Sequence, residues 1–277
     1  MPNELVFVRH GQSEANIIQS ADKKGYDHEH QDAINDRPDW KQRLSQLGIE
    51  QAGQAKEWID RNLGGAASFD IRYFSPFLRT RETAAYIGGT ECGEWIHEDR
   101  VVERSWGKFG ALSSKEREKK FAQTAKMYKQ SPWYVKLDGG ESRYEVSNRF
   151  RDFQGTLHRE ADGKRALVVT HGDLIGIARY NIERMLPEQF EEMENDKTQT
   201  VKNCSITQYS RVNPEDSTDT RKKLTWRRIV NPTDIESSPY NGEWIELPPR
   251  AKYTGADLLK QAELAPRLLE VEQRQLQ

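Results

Sequence analysis

Apolar positions along the chain follow two alternating periods. Leu5-Val6-Phe7-Val8, Ile71-Arg72-Tyr73-Phe74 and Ala166-Leu167-Val168-Val169-Thr170 are short, β-branched or aromatic runs that read as buried strands. Between them the spacing becomes helical. Leu44, Leu47, Ala52, Ala55, Trp58 and Ile59 share one face of a helix expected over residues 43–61. Val146, Phe150, Phe153 and Leu157 do the same in a helix that opens at Gly139-Gly140-Glu141-Ser142 and runs to about Arg159. Further helices are expected over Gln12–Gln19, after Ser75-Pro76 (carrying Arg79, Arg81, Thr83 and Ala84), and over Asp173–Met185. Residues 94–103 hold another short strand or two ending at Val101-Val102-Glu103. Cys204–Tyr209 and Leu224–Val230 read as paired strands around a hairpin loop at Pro214–Thr220. Alternating strands and helices predict an α/β fold, a three-layer αβα sandwich around a mostly parallel sheet.

Three segments break the alternation. Ser20 to Trp40 is polar and aperiodic, which suggests a loop or lid insertion. Arg104 to Lys136 carries nine Lys or Arg against only Glu116 and Glu118, a basic and partly helical insertion. Beyond Asn231 the chain is loop-like until a last amphipathic helix near Ala256 that uses Leu258, Leu259, Leu264, Leu268 and Leu269. The expected organisation is one α/β domain over residues 1–230, with insertions at about 20–40 and 104–138. Residues 231–277 form an extension packing on the core or on a partner subunit, so a homodimer is one option.

Composition narrows the function classes. With 42 Lys or Arg against 44 Asp or Glu, the net charge of −2 exerts no general attraction toward nucleic acid or membrane. Met1-Pro2-Asn3-Glu4 leads straight into the first strand, and no run of eighteen apolar residues occurs, which suggests a cytoplasmic protein. Cys92 and Cys204 are too few for a disulfide framework and lack metal-ligand spacing.

The chemistry gathers at strand ends. Two apolar runs finish in a His-Gly pair, His10-Gly11 and His171-Gly172, about 160 residues apart. Open α/β sheets place ligands just beyond the carboxyl ends of their strands, so the two histidines are expected across one crevice. Around them stand Arg9-His10-Gly11-Gln12-Ser13-Glu14-Ala15-Asn16, Ser75-Pro76-Phe77-Leu78-Arg79-Thr80-Arg81-Glu82-Thr83 and Glu103-Arg104-Ser105-Trp106-Gly107. Over residues 4–210 these motifs resemble, in content and order, the histidine phosphatase superfamily, also called phosphoglycerate mutase-like.

The residues fit phosphoryl transfer in their own right. Arg9 and Arg79 are forked, permanently charged donors for phosphate oxygens, and His171 adds a third. A neutral His10 is the expected nucleophile, its second ring nitrogen held by a hydrogen bond that fixes the tautomer. Glu103 is the expected acid for the leaving alkoxide and then the base for water. The resemblance adds Asn16 to the phosphate pocket, and free N–H groups at the start of the Gln12 helix are expected to face the same anion. No metal and no cofactor are implied.

Other residues carry plainer expectations. Glu141 is expected to cap its own helix, and Trp106, three residues past Glu103, to line the substrate mouth. His28 and His30 among Asp22, Asp27, Glu29 and Asp32 do not follow a zinc spacing and read as an acidic loop. His97 and His158 receive no role. The chain resembles phosphoglycerate mutases around Glu103 and at Lys115, but residues 121–137 lack the arginine pair that clamps a second acidic group. A metal-independent phosphatase acting on a phosphorylated small molecule or phosphoprotein is therefore favoured over a mutase. A non-catalytic phosphate-binding module is disfavoured by the presence of His10, Arg9, Arg79, Glu103 and His171. The basic 104–136 segment is either a rim that favours multiply anionic substrates or a solvated helical face.

Overall fold

The computed structural model describes residues 1–26, 28–90, 92–110, 112–265 and 267. Leu268 and Leu269 of the expected last helix, and Asp27 of the acidic loop, lie outside the described residues.

Strand β1 (Glu4–Arg9) and strand β4 (Arg165–Thr170) pair in parallel, with Arg9 opposite Thr170. Strand β2 (Ile71–Phe74) lies beyond β4, and the two-residue β3 (Ile96–His97) lies beyond β2, both also parallel. On the other side of β1 the sheet turns antiparallel through β5 (Ile206–Ser210), β6 (Trp226–Val230) and β7 (Ile245–Glu246). The seven-stranded order is β3-β2-β4-β1-β5-β6-β7. The parallel expectation thus holds for the half that carries the His-Gly pairs. Beyond it, β5 and β6 are joined without a helix, and a direct return of that kind makes an antiparallel pair.

Side-chain alternation along β1 and β4 sends alternate residues to opposite faces. Leu5, Phe7, Ala166 and Val168 pack with Val146, Phe150, Phe153 and Leu157 of helix α7 (Arg143–Glu160) and with Leu174, Ile175, Ile177 and Ala178 of helix α8 (Gly172–Glu183). Phe190, from helix α9 (Pro187–Asn195), joins them. Val6, Val8, Leu167 and Val169 instead pack with Ala52, Ala55 and Ile59 of helix α3 (Gln46–Leu63) and with Ala84 and Ile87 of helix α4 (Leu78–Gly88). Each buried large apolar side chain contributes about 1.5–3 kcal/mol. The three-layer sandwich follows.

Several local features differ from the sequence pattern. Helix α3 starts at Gln46 because the Ser45 side chain accepts from the Gly48 N–H. Leu44 is buried before the helix, while Leu47 is exposed. The first helix, α1 (Glu14–Lys23), is capped by Ser13, so Gln12 precedes it. The 20–40 insertion folds partly, into α2 (Gln31–Asn35) and a 3-10 turn at Asp39–Lys41. The basic insertion carries α5 (Ser114–Lys120) and α6 (Ala122–Gln130).

Glu103 sits in a loop rather than at a strand end. After β3 the chain makes a 3-10 turn at Asp99–Val101, and side chains take its carbonyls. Arg149 donates to the carbonyls of Arg100, Val102 and Glu103, and Thr170 Oγ1 donates to that of Val101. No strand partner is needed.

The chain forms two compact units, Met1–Leu247 and Pro248–Gln277. The first extends past the expected limit at residue 230 because Ile245 pairs with Arg227 across β6 and β7. The second contains α10 (Gly255–Ala262), capped by Thr254 with Asp257, and there Leu258, Leu259 and Leu264 are exposed. Among the described residues no helix is long and apolar enough to cross a membrane.

Candidate active site

The parallel strands β1, β4 and β2 all end at one edge of the sheet, delivering His10, His171 and Ser75 together. The His10 and His171 rings lie 5.1 Å apart, edge to face. His10 is buried, and its backbone N–H donates to the Thr170 carbonyl at 2.9 Å, extending the β1–β4 ladder by one residue.

The His10 ring has one available tautomer. Nδ1 lies 2.7 Å from the Gly11 carbonyl, which only accepts, so Nδ1 carries the proton. Nε2 is left with its lone pair and receives Arg79 Nε at 3.3 Å. Burial, followed by the Arg79 and Arg9 charges, holds the His10 pKa well below its ordinary value, against the weaker pull of the Gly11 carbonyl. The imidazole is therefore neutral at neutral pH.

Both His-Gly glycines sit at close approaches. A Cβ on Gly11 would stand 2.3 Å from the Gly48 carbonyl oxygen, so the loop rests directly on the first turn of α3. A Cβ on Gly172 would stand 3.2 Å from Arg9 Nε, so this glycine leaves room for the guanidinium.

Arg9 donates from Nη1 to the Val201 carbonyl at 2.6 Å, while its Nε is buried without a protein partner. His171 Nε2 lies 2.8 Å from Ser75 Oγ, and its Nδ1 is likewise buried and unpartnered. Burial, then the Arg79 charge, also holds His171 well below the ordinary imidazole pKa. Buried polar atoms are normally paired, so these two leave hydrogen-bonding capacity open within the site.

Arg79 is buried and bonded by the 20–40 insertion. Its Nη1 donates to Asp39 O at 2.7 Å and to Asp39 Oδ1 at 3.0 Å, and its Nη2 donates to Asp39 Oδ2 at 3.3 Å. The expected loop thus reaches Arg79 through Asp39, by both its carboxylate and its carbonyl.

The N–H groups around the first turn of α1 do not face an anion. Gly11 N donates to Thr83 Oγ1, Gln12 N to Gln51 Oε1, Ser13 N to Asn16 Oδ1, and Asn16 N to Ser13 Oγ. This corrects the expectation for the Gln12 helix: a capping box and two neighbouring side chains satisfy those donors. Asn16 Oδ1 also accepts from Asn203 Nδ2 at 3.1 Å, and the same amide donates to the His10 carbonyl at 3.0 Å. Asn16 is tied to His10 through Asn203.

Glu103 is partly buried, with Oε1 accepting from the Arg104 N–H at 3.0 Å. Burial and then the Asp173 charge push its pKa up to about 7, against the opposing pulls of Arg79, the Arg104 N–H and Arg9. Arg104 is buried, its guanidinium 4.0 Å from the Trp106 ring and its Nε donating to Asp173 Oδ2 at 3.0 Å. Glu141 does not cap its helix. It holds Arg149 and accepts from Ser105 N at 2.9 Å, while Ser142 and Glu145 form the capping box of α7. The reason is reach: the N3 position of a capping box belongs to Glu145.

A family model described as the histidine phosphatase superfamily (branch 1) matches residues 5–214. The chain belongs to that superfamily. Phosphoserine phosphatase 1 of Hydrogenobacter thermophilus is 28% identical over 168 residues, covering 61% of this chain and 70% of that protein. A 2,3-bisphosphoglycerate-dependent phosphoglycerate mutase of Rhizobium etli is 30% identical over 186 residues, covering 65% and 80%. Among solved structures, a putative alpha-ribazole-5'-P phosphatase of Escherichia coli superposes with a TM-score of 0.60 at 18% identity, covering 78% of this chain and 93% of that one. Mycobacterial glucosyl-3-phosphoglycerate phosphatase gives 0.59 at 20% identity, covering 82% and 96%. These structures share the α/β fold of this histidine phosphatase superfamily member, and the phosphatase relatives support a phosphoric monoester hydrolase.

Within this superfamily member, the motif residues converge while the other polar clusters stay apart. His28 and His30 face each other at 5.8 Å in the 20–40 insertion, and among the described residues no three His, Cys, Asp or Glu side chains gather as a metal site. His158 receives the N-terminal amine at 2.7 Å. Asn203, Arg104, Asp173 and Asp39 were not foreseen. Arg104 lies within the Glu103 motif and Asp173 directly follows His171-Gly172, which was the available signal; Asn203 and Asp39 had none. The Cys204 backbone is left-handed at φ 55° and turns its N–H to the His10 carbonyl, so β5 begins at Ile206 rather than Cys204. In the basic insertion, Lys120, Lys129 and Lys136 pair with Glu116, Glu118 and Glu145, which lowers the local positive charge.

Proposed function

We propose that this chain is a metal-independent phosphatase that hydrolyses phosphomonoesters of small molecules through a phosphohistidine on His10. The observation that carries this reading is the neutral His10 ring, protonated on Nδ1, with Nε2 receiving Arg79 Nε and the Arg9 charge nearby. In the first step Nε2 attacks phosphorus and the ester P–O bond breaks. Arg9, Arg79, His171 and Asn16 receive the phosphoryl group, the guanidiniums supplying fixed positive charge to its oxygens. The proton of Glu103 passes to the leaving alkoxide, a task suited to a carboxyl whose pKa is about 7. In the second step the Glu103 carboxylate takes a proton from water, the resulting hydroxide attacks phosphorus, and the N–P bond breaks. His10 returns neutral and Glu103 returns protonated.

The test is hydrolysis of a chromogenic aryl phosphate in chelator by the wild type and by His10→Ala. Turnover with an acid-labile, base-stable phosphoenzyme is expected for the wild type, and neither for the variant. Absence of both in the wild type overturns the reading. The mutase relatives keep an isomerase reading in view, and activity strictly dependent on priming by a bisphosphoglycerate would establish it instead. The absence of an arginine pair over residues 121–137 favours hydrolysis.

A further inference from the structure

We propose that Asp173 is a positioning residue for Glu103, acting through its grip on the Arg104 side chain and through its own negative charge. The inference rests on the proposed acid–base role of Glu103. Asp173 is the second residue of α8, directly after His171-Gly172, where a carboxylate also benefits from the positive end of the helix. Its Oδ2 accepts Arg104 Nε at 3.0 Å, and the backbone N–H of the same arginine holds Glu103 Oε1 at 3.0 Å. One residue therefore bonds both carboxylates, by its side chain and by its backbone.

Arg104 is a firm bridge. Its side chain is 0% exposed, lies 4.0 Å from the face of Trp106 and donates from Nη2 to the Tyr128 hydroxyl at 3.1 Å. The groups that face Glu103 come from every neighbouring element. Arg9 arrives from β1, Arg79 from α4 and Asp173 from α8. Arg149 of α7 donates to the Glu103 carbonyl at 3.2 Å, fixing the loop rather than the carboxylate. His10 and His171 are neutral. Asp173 is thus the anion opposing ionisation of Glu103, while Arg104 limits how much of that charge Glu103 feels. Burial already opposes ionisation of Glu103, and Asp173 adds to it against the two guanidiniums that favour the carboxylate, a balance suited to donating a proton at neutral pH.

The test is the pH dependence of kcat/KM on an alkyl phosphate, whose leaving group needs the proton. Wild type, Asp173→Asn, Arg104→Gln and Glu103→Gln are compared, with folding verified by thermal melting. Asp173→Asn is expected to move the basic limb down by about one pH unit, leaving about a tenth of wild-type kcat/KM above the limb. Arg104→Gln is expected to move it up, because the Asp173 charge is then unscreened. A purely structural role would lower rates at all pH values and would not shift the two variants in opposite directions. A limb that stays in place in Asp173→Asn, or falls in Arg104→Gln, overturns the proposal. A wild-type basic limb that survives in Glu103→Gln belongs to another group, and that outcome overturns the acid–base role itself.

Discussion

Replacing Asp39 by Asn should tighten the binding of inorganic phosphate. In the structure the Asp39 carboxylate takes both Nη groups of Arg79, at 3.0 and 3.3 Å, while Nε is committed to His10. A phosphate that uses the same Nη hydrogens must displace or share them. The pair is asymmetric, with the Arg79 side chain 5% exposed and the Asp39 side chain 60% exposed. A carboxylate that is mostly in water gives up little on release, so the contact contributes about 1 kcal/mol. Removing the charge and keeping the shape should therefore lower the competitive inhibition constant of orthophosphate about fivefold, since tenfold corresponds to about 1.4 kcal/mol. The assay is inhibition of aryl phosphate hydrolysis at fixed pH and low ionic strength. Added salt should shrink the difference, because Asp39 is exposed. An unchanged or larger inhibition constant in Asp39→Asn would refute the competition; Asp39 would then hold Arg79 in its binding pose.

Two stability predictions accompany it. Glu103 binds a proton up to a pH of about 7 in the folded state, against an ordinary value of 4.5, so the native state loses stability as pH rises from 4.5 through 7. Glu103→Gln should consequently raise the unfolding free energy at pH 8 by on the order of 2 kcal/mol and give no such gain at pH 4.5; denaturant titrations at the two pH values decide it. Gly11→Ala forces a Cβ to within 2.3 Å of the Gly48 carbonyl oxygen, backbone against backbone. It should cost about 3 kcal/mol or more, read as a lowered melting temperature, and a variant as stable as wild type would contradict that close approach.

The strand–helix alternation was legible because burial on both faces of β1 and β4 imposes runs such as Leu5–Val8 and Leu167–Val169, which few other structures tolerate. The two motif histidines and Arg9 were legible for a related reason: they lie at the ends of those runs, so locating the strand locates the residue. Glu103 was found by its motif but misplaced, because residues 94–103 look extended and only Arg149 and Thr170, both distant in sequence, reveal that side chains take its loop's carbonyls. Glu141 and Glu145 compete for one cap, and a difference of four positions decided which could reach back to Ser142.

By itself, then, the sequence determined the layered fold, the family and the set of groups suited to phosphoryl chemistry, because these depend on local periodicity and on residue type next to a strand end. Tertiary structure decided how those groups are set. The tautomer of His10 depends on the Gly11 carbonyl and on Arg79, and the protonation of Glu103 on burial and Asp173. The partner of Arg79 comes from an insertion about forty residues away. Electrostatics and hydrogen bonding act through space, and distances through space are set only when the two ends of the chain's elements are packed on one sheet.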